Sequence, residues 1–381
     1  MKKLVCLSLS ICLILTLFCG CNNNNDTQSN YSEVVITEEV IIDNTTNTSN
    51  DAQGDDNMSS ATDIPSKSEI STSSDDISSK TDPQNCSHKY NETIEQTAQL
   101  FKAGTKKYSC QNCGDSYTKE YTVEKLKILA IGNSFSLNSM WELYPLLKQA
   151  GVKEIDIAIM YIGGCSLDQH WENAQNNSAN YQLYRNNSGS WKITDNYLLE
   201  TILQEGGWDI VTLQNKSEHA AQQSMFSNLD NMVSYVNGKC PDAKILWHMT
   251  WAFTKDSKYL NTKYDKDDTL MFKNITDCVQ NIVTKNQKIH SIVPVGTAVM
   301  NARTSKLSDS INQEDGSHLS EDIGYYVGAY TWFSAITGMS VYDVNLSAIN
   351  FGASQNADII CESVQNALNN PYQITPSHYK N

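Results

Sequence analysis

Ser134 and, far from it in the chain, the neighbours Asp315 and His318 carry the side chains that acyl transfer requires. Asp315 stands three residues before His318 in Asp-Gly-Ser-His, close enough for its carboxylate to accept a hydrogen bond from imidazole Nδ1. That bond fixes the tautomer and supports the imidazolium formed during catalysis. The other ring nitrogen is then free to take a proton from a serine hydroxyl. A second grouping, Cys86, His88, Cys110 and Cys113, offers three thiols and an imidazole, with the last two cysteines spaced CxxC. This is the ligand set of a closed tetrahedral Zn²⁺ site, structural because four protein ligands leave no position for substrate. Plainer readings stand beside both. Gly-Asn-Ser and Asp-Gly-Ser are ordinary turn sequences, and two of the three cysteines could instead pair as a disulfide.

The elements that must position these residues follow from hydropathy. Ile128-Leu-Ala-Ile131 reads as a strand buried on both faces, Gly132-Asn-Ser134 as the turn that ends it, and residues 138–150 as a helix. Ser134 thus falls at a strand's C-terminal end and a helix start, where free backbone N–H groups suit a developing anion. A second strand, 154–160, runs into Tyr161-Ile-Gly163-Gly164, whose glycines let backbone N–H groups approach a ligand. A third, 208–215, ends in Gln214-Asn215, and a fourth and fifth cover 243–250 and 289–295. Helical patterns near 223–237, 266–286 and 321–337 alternate with them. The alternation predicts an α/β three-layer sandwich over 126–372 around a mainly parallel five-stranded sheet, with strand ends gathered at one rim. Between 170 and 207, Trp171, Tyr181, Tyr184, Trp191 and Tyr197 lie among Asn and Ser, as in a long loop that either stacks on sugar rings or packs locally. His170, His248 and Trp251 fall near rim-side segments and are candidates for substrate contact or for buried structural roles.

Four blocks in order, Gly132-Asn-Ser-Phe-Ser136, Gly163-Gly-Cys-Ser166, Leu213-Gln214 and Asp315-Gly-Ser-His-Leu-Ser320, resemble the SGNH hydrolase superfamily, also called GDSL esterases and lipases. More narrowly they resemble a branch of secreted bacterial proteins that carries the same blocks. The resemblance implies Ser134 as nucleophile, His318 and Asp315 as its dyad, and an oxyanion hole formed by the N–H groups of Ser134 and Gly164 or Gly163. It also implies a side-chain donor after the third strand. The usual Gly-x-Asn is absent there, and sialate-esterase-like relatives place a glutamine at this point, which favours Gln214 and leaves Asn215 in reserve. The implied activity is a serine esterase that removes a small acyl group, acetyl for instance, from carbohydrate, with no cofactor in catalysis. An acyltransferase acting on glycans and a catalytically idle glycan-binding protein are the alternatives.

Met1-Lys-Lys3 followed by an apolar run to Phe18 is a secretory signal pattern, too short for a stable membrane span. Gly20-Cys21 resembles the lipobox of bacterial lipoproteins, which implies lipidation of Cys21 and a protein anchored to the membrane at the cell surface. A plainly cleaved signal is the other reading. Residues 22–85 are rich in Asn, Ser, Thr and Asp, and read as a disordered tether. The tether holds 13 acidic and 2 basic residues, so most of the chain's net charge of −15 sits there. The remainder offers no nucleic-acid footprint. Residues 86–122 read as a small module of their own, and with their Cys-x-His-x-Tyr and Tyr-x-Cys-x-x-Cys-Gly patterns they resemble zinc-ribbon-like modules of secreted bacterial proteins. Cys165, Cys240, Cys278 and Cys361 are scattered singly and indicate no dense disulfide framework.

Overall fold

The computed structural model describes residues 85–96, 103–122, 124–344 and 351–380. The signal segment, Cys21 and the tether up to residue 84 lie outside them. Strands β1 (Tyr90–Gln96), β2 (Gly104–Cys110) and β3 (Ser116–Tyr121) form an antiparallel three-stranded sheet in the Cys/His module. The larger sheet contains β4 (Lys125–Gly132), β5 (Glu154–Tyr161), β6 (Tyr181–Asn186), β7 (Lys192–Tyr197), β8 (Ile210–Leu213), β9 (Lys244–His248) and β10 (Ile289–Val293). Their spatial order is β10-β9-β8-β4-β5-β6-β7.

Five of these strands, β10 to β5 in that order, run parallel, as the sequence predicts. The sheet nevertheless has seven strands. Residues read as a long aromatic loop form the antiparallel pair β6 and β7 at the edge beyond β5. Tyr181 and Leu183 of β6 alternate inward, while β7 is almost wholly exposed and shows no apolar face that would mark it as a strand. Ser188-Gly189 at the tip supplies the turn, with Gly189 at φ +95°.

The helices are α1 (Ser134–Met140), α2 (Leu143–Gln149), α3 (Leu167–Asn176), α4 (Leu199–Gln204), α5 (Leu229–Lys239), α6 (Lys258–Lys263), α7 (Asp268–Asn281), α8 (Val295–Arg303), α9 (Gly324–Thr337), α10 (Phe351–Gln355) and α11 (Ala357–Asn369). Helices α1, α2, α8, α9 and α11 pack together, as do α3, α4 and α5. The chain leaves β4 for β5 on one side and returns past β4 to β8 on the other, so right-handed crossovers place the connecting helices on opposite faces. This gives the three-layer α/β sandwich that the sequence predicts. Ile128, Leu129, Ala130 and Ile131 of the central strand are all 0% exposed. Burial worth about 1.5–3 kcal/mol for each large aliphatic side chain fixes β4 in the middle of the sheet. The direction of winding reverses between β4 and β8, and the crevice beyond their carboxyl ends is where open α/β sheets bind ligands. At the crossing of α1 and α9, a Cβ on Gly328 would stand 2.6 Å from Ser139 Cα, so the two backbones approach more closely than a side chain allows. Among the described residues no helix is long and apolar enough to cross a membrane.

Candidate active site

The site begins where β4 ends. Asn133 caps α1, its Oδ1 accepting from Phe135 N at 3.0 Å, and this makes Ser134 the first helical residue. The helix therefore starts four residues earlier than the apolar pattern predicts. Ser134 N–H is one of the orphan donors of a helix start and has no acceptor among the described residues. On the next strand, Cys165 N donates to Ile162 O at 3.2 Å and closes a turn over Gly163 and Gly164, the latter at φ +58°. The N–H groups of both glycines also lack acceptors among the described residues. Ile162 N donates to Gly132 O at 3.3 Å and Asn133 Nδ2 to Cys165 O at 3.2 Å, which join the serine turn to the glycine turn.

Across the crevice stands the loop before α9. His318 Nε2 lies 2.8 Å from Ser134 Oγ, and His318 Nδ1 bonds Asp315 Oδ2. Asp315 Oδ1 accepts from Ser317 N at 2.8 Å and His318 N at 2.9 Å. Desolvation works to raise the Asp315 pKa, but the hydrogen bonds from the imidazole and the two backbone N–H groups outweigh it, and the carboxyl sits below its ordinary range. An ionised Asp315 accepts only, so the imidazole carries its proton on Nδ1 and presents a bare Nε2 to the serine.

The loop is held from several sides. Trp251 Nε1 donates to Ser317 O at 2.7 Å, and its ring stacks on Phe135 at 3.9 Å between centroids, with Phe135 edge-on to His318. Buried Arg303 donates to Asn312 Oδ1 through Nη2 at 2.8 Å and Nε at 3.1 Å. Asn312 Nδ2 reaches His318 O at 3.2 Å. Gly316, at φ +69°, passes so close to the segment after β9 that a Cβ would lie 2.6 Å from Ser257 N. Neither Arg303 nor Asn312 stands out in sequence, since Arg303 acts through the Asn312 side chain and Asn312 through a backbone carbonyl of its own loop.

Thus Ser134, His318 and Asp315 are brought together with Gly163 and Gly164, while other candidates are placed elsewhere. Gln214 is 1% exposed, and its carboxamide is turned inward, with Nε2 on Asn133 Oδ1 at 2.6 Å. Asn215 is equally buried; its Oδ1 takes Leu167 N and Lys216 N, and its Nδ2 donates to Met225 O. Both amides are occupied by the fold, so neither projects over the rim. His170 and Trp251, at 0% exposed, and His248, at 1%, lie beneath the rim and do not line it. His170 bonds Tyr181 Oη at 2.9 Å through Nδ1, and burial lowers the pKa of His170 and of His248 to about 3, so both rings are neutral.

In the module, the ligand atoms of Cys86, His88, Cys110 and Cys113 all lie within 4.8 Å of one another. Zn–S bonds of about 2.3 Å and a Zn–N bond of about 2.0 Å, at tetrahedral angles, require S···S edges of about 3.8 Å and an S···N edge of about 3.5 Å. The Cys86 to Cys110 sulfur separation is 3.8 Å and Cys113 Sγ to His88 Nδ1 is 3.4 Å, so the residues fit a tetrahedral metal.

Residues 127–363 match the family described as domain of unknown function DUF4886. Among solved structures, the chain resembles a DUF4886 family protein from Bacteroides uniformis ATCC 8492, with 29% identity and a TM-score of 0.59 over 66% of this chain and 98% of that one. Lower similarity extends to a carbohydrate esterase family 3 from Talaromyces cellulolyticus, with 12% identity and a TM-score of 0.38 over 58% of this chain and 100% of that one. A Clostridium thermocellum family 3 carbohydrate esterase shows 17% identity and a TM-score of 0.36 over 57% and 98% respectively. No curated protein matches the sequence. With its matched region covering more than half of its length, the chain belongs to the DUF4886 family.

Proposed function

We propose that this protein is a cell-surface serine esterase of the SGNH type, anchored through a lipid on Cys21, that removes a small acyl group such as acetyl from carbohydrate. The observation that carries this reading is the unbroken line from Ser134 Oγ through His318 to Asp315 beside backbone N–H groups that have no acceptor among the described residues. His318 Nε2 takes the hydroxyl proton as Ser134 Oγ bonds to the ester carbonyl carbon, and the carbonyl electron pair moves to oxygen. The N–H groups of Ser134 and Gly164, with Gly163 beside them, receive that oxyanion; each well-aimed donor is worth about 3 kcal/mol in the transition state. Collapse expels the alcohol, which takes the proton back from His318, and water repeats the sequence to release the acid. Asp315 remains a carboxylate throughout. The carbohydrate part rests on the superfamily resemblance and on the expected surface location.

The test is hydrolysis of short-chain nitrophenyl esters and of acetylated oligosaccharides. Ser134→Ala and His318→Ala should each lower kcat by about 10⁴-fold or more, and the double variant should be scarcely worse than either. Near wild-type turnover in either single variant sinks the assignment.

We also propose that Cys86, His88, Cys110 and Cys113 hold one structural Zn²⁺. When bound, the metal would cross-link the strands of the module and supply no chemistry to the ester site. Elemental analysis of the purified protein should find one zinc per chain, and chelation should unfold the module while ester hydrolysis persists. A disulfide among these cysteines in metal-free protein, found by mass spectrometry, would refute this.

A further inference from the structure

Beneath the two turns of the candidate site lies a polar junction that the acyl-transfer steps leave unused. Its centre is the Gln214 carboxamide. Oε1 accepts from Ser136 Oγ at 2.5 Å and from His248 Nδ1 at 3.0 Å, and Nε2 donates to Asn133 Oδ1 at 2.6 Å. Asn133 then spends its own Nδ2 on Cys165 O at 3.2 Å, one residue past Gly164. On the far side, His248 Nε2 faces Ser139 Oγ at 3.4 Å, which receives Trp332 Nε1 at 3.0 Å. Asn133, Ser136, Ser139, Gln214, His248 and Trp332 are each no more than 1% exposed. Gly132 makes room for the junction, since a Cβ there would lie 2.3 Å from Ser136 Oγ and 2.8 Å from Gln214 Oε1.

The proton assignments in this junction are forced. Gln214 Oε1 can only accept, so His248 carries its proton on Nδ1, as a neutral ring permits. With the donor of Nε2 spent on Asn133, the Gln214 amide cannot turn without leaving buried polar atoms unpaired on three segments at once. The Ser139 hydroxyl proton itself goes to Phe135 O at 2.8 Å, within α1. A buried network of mutually bonded polar groups resists rearrangement, and this one grips the serine turn at Asn133 and Ser136, on both sides of Ser134.

We infer that Gln214 is a positioning residue that, through Asn133, holds the Ser134 N–H and the Gly164 N–H at a fixed separation so that both converge on one oxyanion. It takes the place in sequence of a side-chain oxyanion donor and acts from behind the hole. The inference rests on the esterase reading above, and one of its two tests is independent of turnover.

Gln214→Met keeps the side-chain shape and removes both ends of the junction. With sites counted by covalent phosphonate titration, it should lower kcat on a nitrophenyl acetate by about 10²-fold, the cost of misplacing reacting groups by about 1 Å, and leave KM little changed. Because Gln214 works through Asn133, Gln214→Met in an Asn133→Ala background should add almost nothing. Multiplying effects would mean that Gln214 acts by a route other than Asn133, through Ser136 or on the oxyanion itself, and wild-type kcat per titrated site with a lowered Tm would mean a merely structural role; either result overturns the proposal. Hydrogen exchange read by mass spectrometry supplies the second test. Gln214→Met should speed exchange in both 132–137 and 162–167, and an unchanged 162–167 overturns the proposal even if no ester is ever turned over. His248→Phe, which removes only the support of Oε1, should shift the same two segments by less and serves if the methionine variant does not fold.

Discussion

In the main domain, Ser134, His318 and Asp315 meet at the rim, and near the carboxyl end Ser377, His378 and Glu362 meet on the surface of α11. The residue types correspond, but the connections differ. At the rim the imidazole stands in the middle, with a carboxylate on one nitrogen and a hydroxyl on the other. At the carboxyl end the carboxylate stands in the middle: Ser377 Oγ donates to Glu362 Oε2, while His378 Nδ1 and the His378 backbone N–H reach Oε1. Ser377 is 3% exposed and its hydroxyl proton is committed to an acceptor that cannot pass it on, whereas the His378 side chain is 90% exposed and faces no hydroxyl. In the proposed reaction, a nucleophile is therefore made by the order of the hydrogen bonds. The same three groups in another order make a clasp for the last residues of the chain, aided by Asn301 Oδ1 on Thr375 N and Thr304 Oγ1 on Ser377 N.

The largest expected effect comes from breaking the order at the rim. Asp315→Asn preserves shape but offers His318 a donor as well as an acceptor, which allows the proton to sit on Nε2 and point at Ser134. We expect kcat to fall about 10⁴-fold with folding stability nearly intact, measured by ester hydrolysis beside thermal unfolding. Loss of less than tenfold would mean that Asp315 does not set the tautomer.

The corresponding change in the clasp should act on stability alone. Desolvation tends to raise the Glu362 pKa, but the hydrogen bonds from Ser377 and His378 prevail and hold it below the ordinary carboxyl range. A depressed folded-state pKa adds stability that is complete above the unfolded value and is lost as pH falls through the folded one. Glu362→Gln should cost about 1–3 kcal/mol near neutral pH, and the gap to wild type should close on acidification, with kcat unchanged. A gap that persists at acid pH, or a fall in kcat, would contradict the clasp reading. The smallest effect belongs to His378→Ala, which should leave turnover untouched and reduce Tm less than Glu362→Gln does.

The contrast also shows what a sequence reveals. Asp315 and His318 were legible because their contact is local, three residues within one turn, and Ser134 because an apolar run ending in Gly-Asn-Ser marks a strand end. The direction of an amide past a strand end is a different matter. Gln214 points inward because Asn133 and Ser136 of the serine turn and His248 of β9, two other segments, satisfy it there, and no spacing near residue 214 records that. His248 is the last residue of β9, near the rim as the sequence suggests, but the alternation of side chains turns it into the layer beneath. The β6 and β7 pair leaves no strand signal in the sequence because β7 lies on an exposed edge and needs no apolar pattern.

The close crossing of α1 and α9 at Gly328 bears on how such a site can drift. Ser134 stands on α1, whereas His318 stands on the loop that enters α9, pinned to Trp251, Arg303 and Asn312 and tied to α1 where Leu319 N donates to Asn138 Oδ1 at 3.2 Å, so their spacing depends on how the bodies of α1 and α9 seat together. The missing Cβ at 328 sets how deeply one body seats against its neighbour, and the 2.8 Å between hydroxyl and imidazole inherits that depth. Under the proposed reaction, reactivity at the rim is in this sense a dimension set at a helix contact, and a lineage could silence or retune this protein by adding one carbon atom there, with every side chain of the proposed triad still in its sequence.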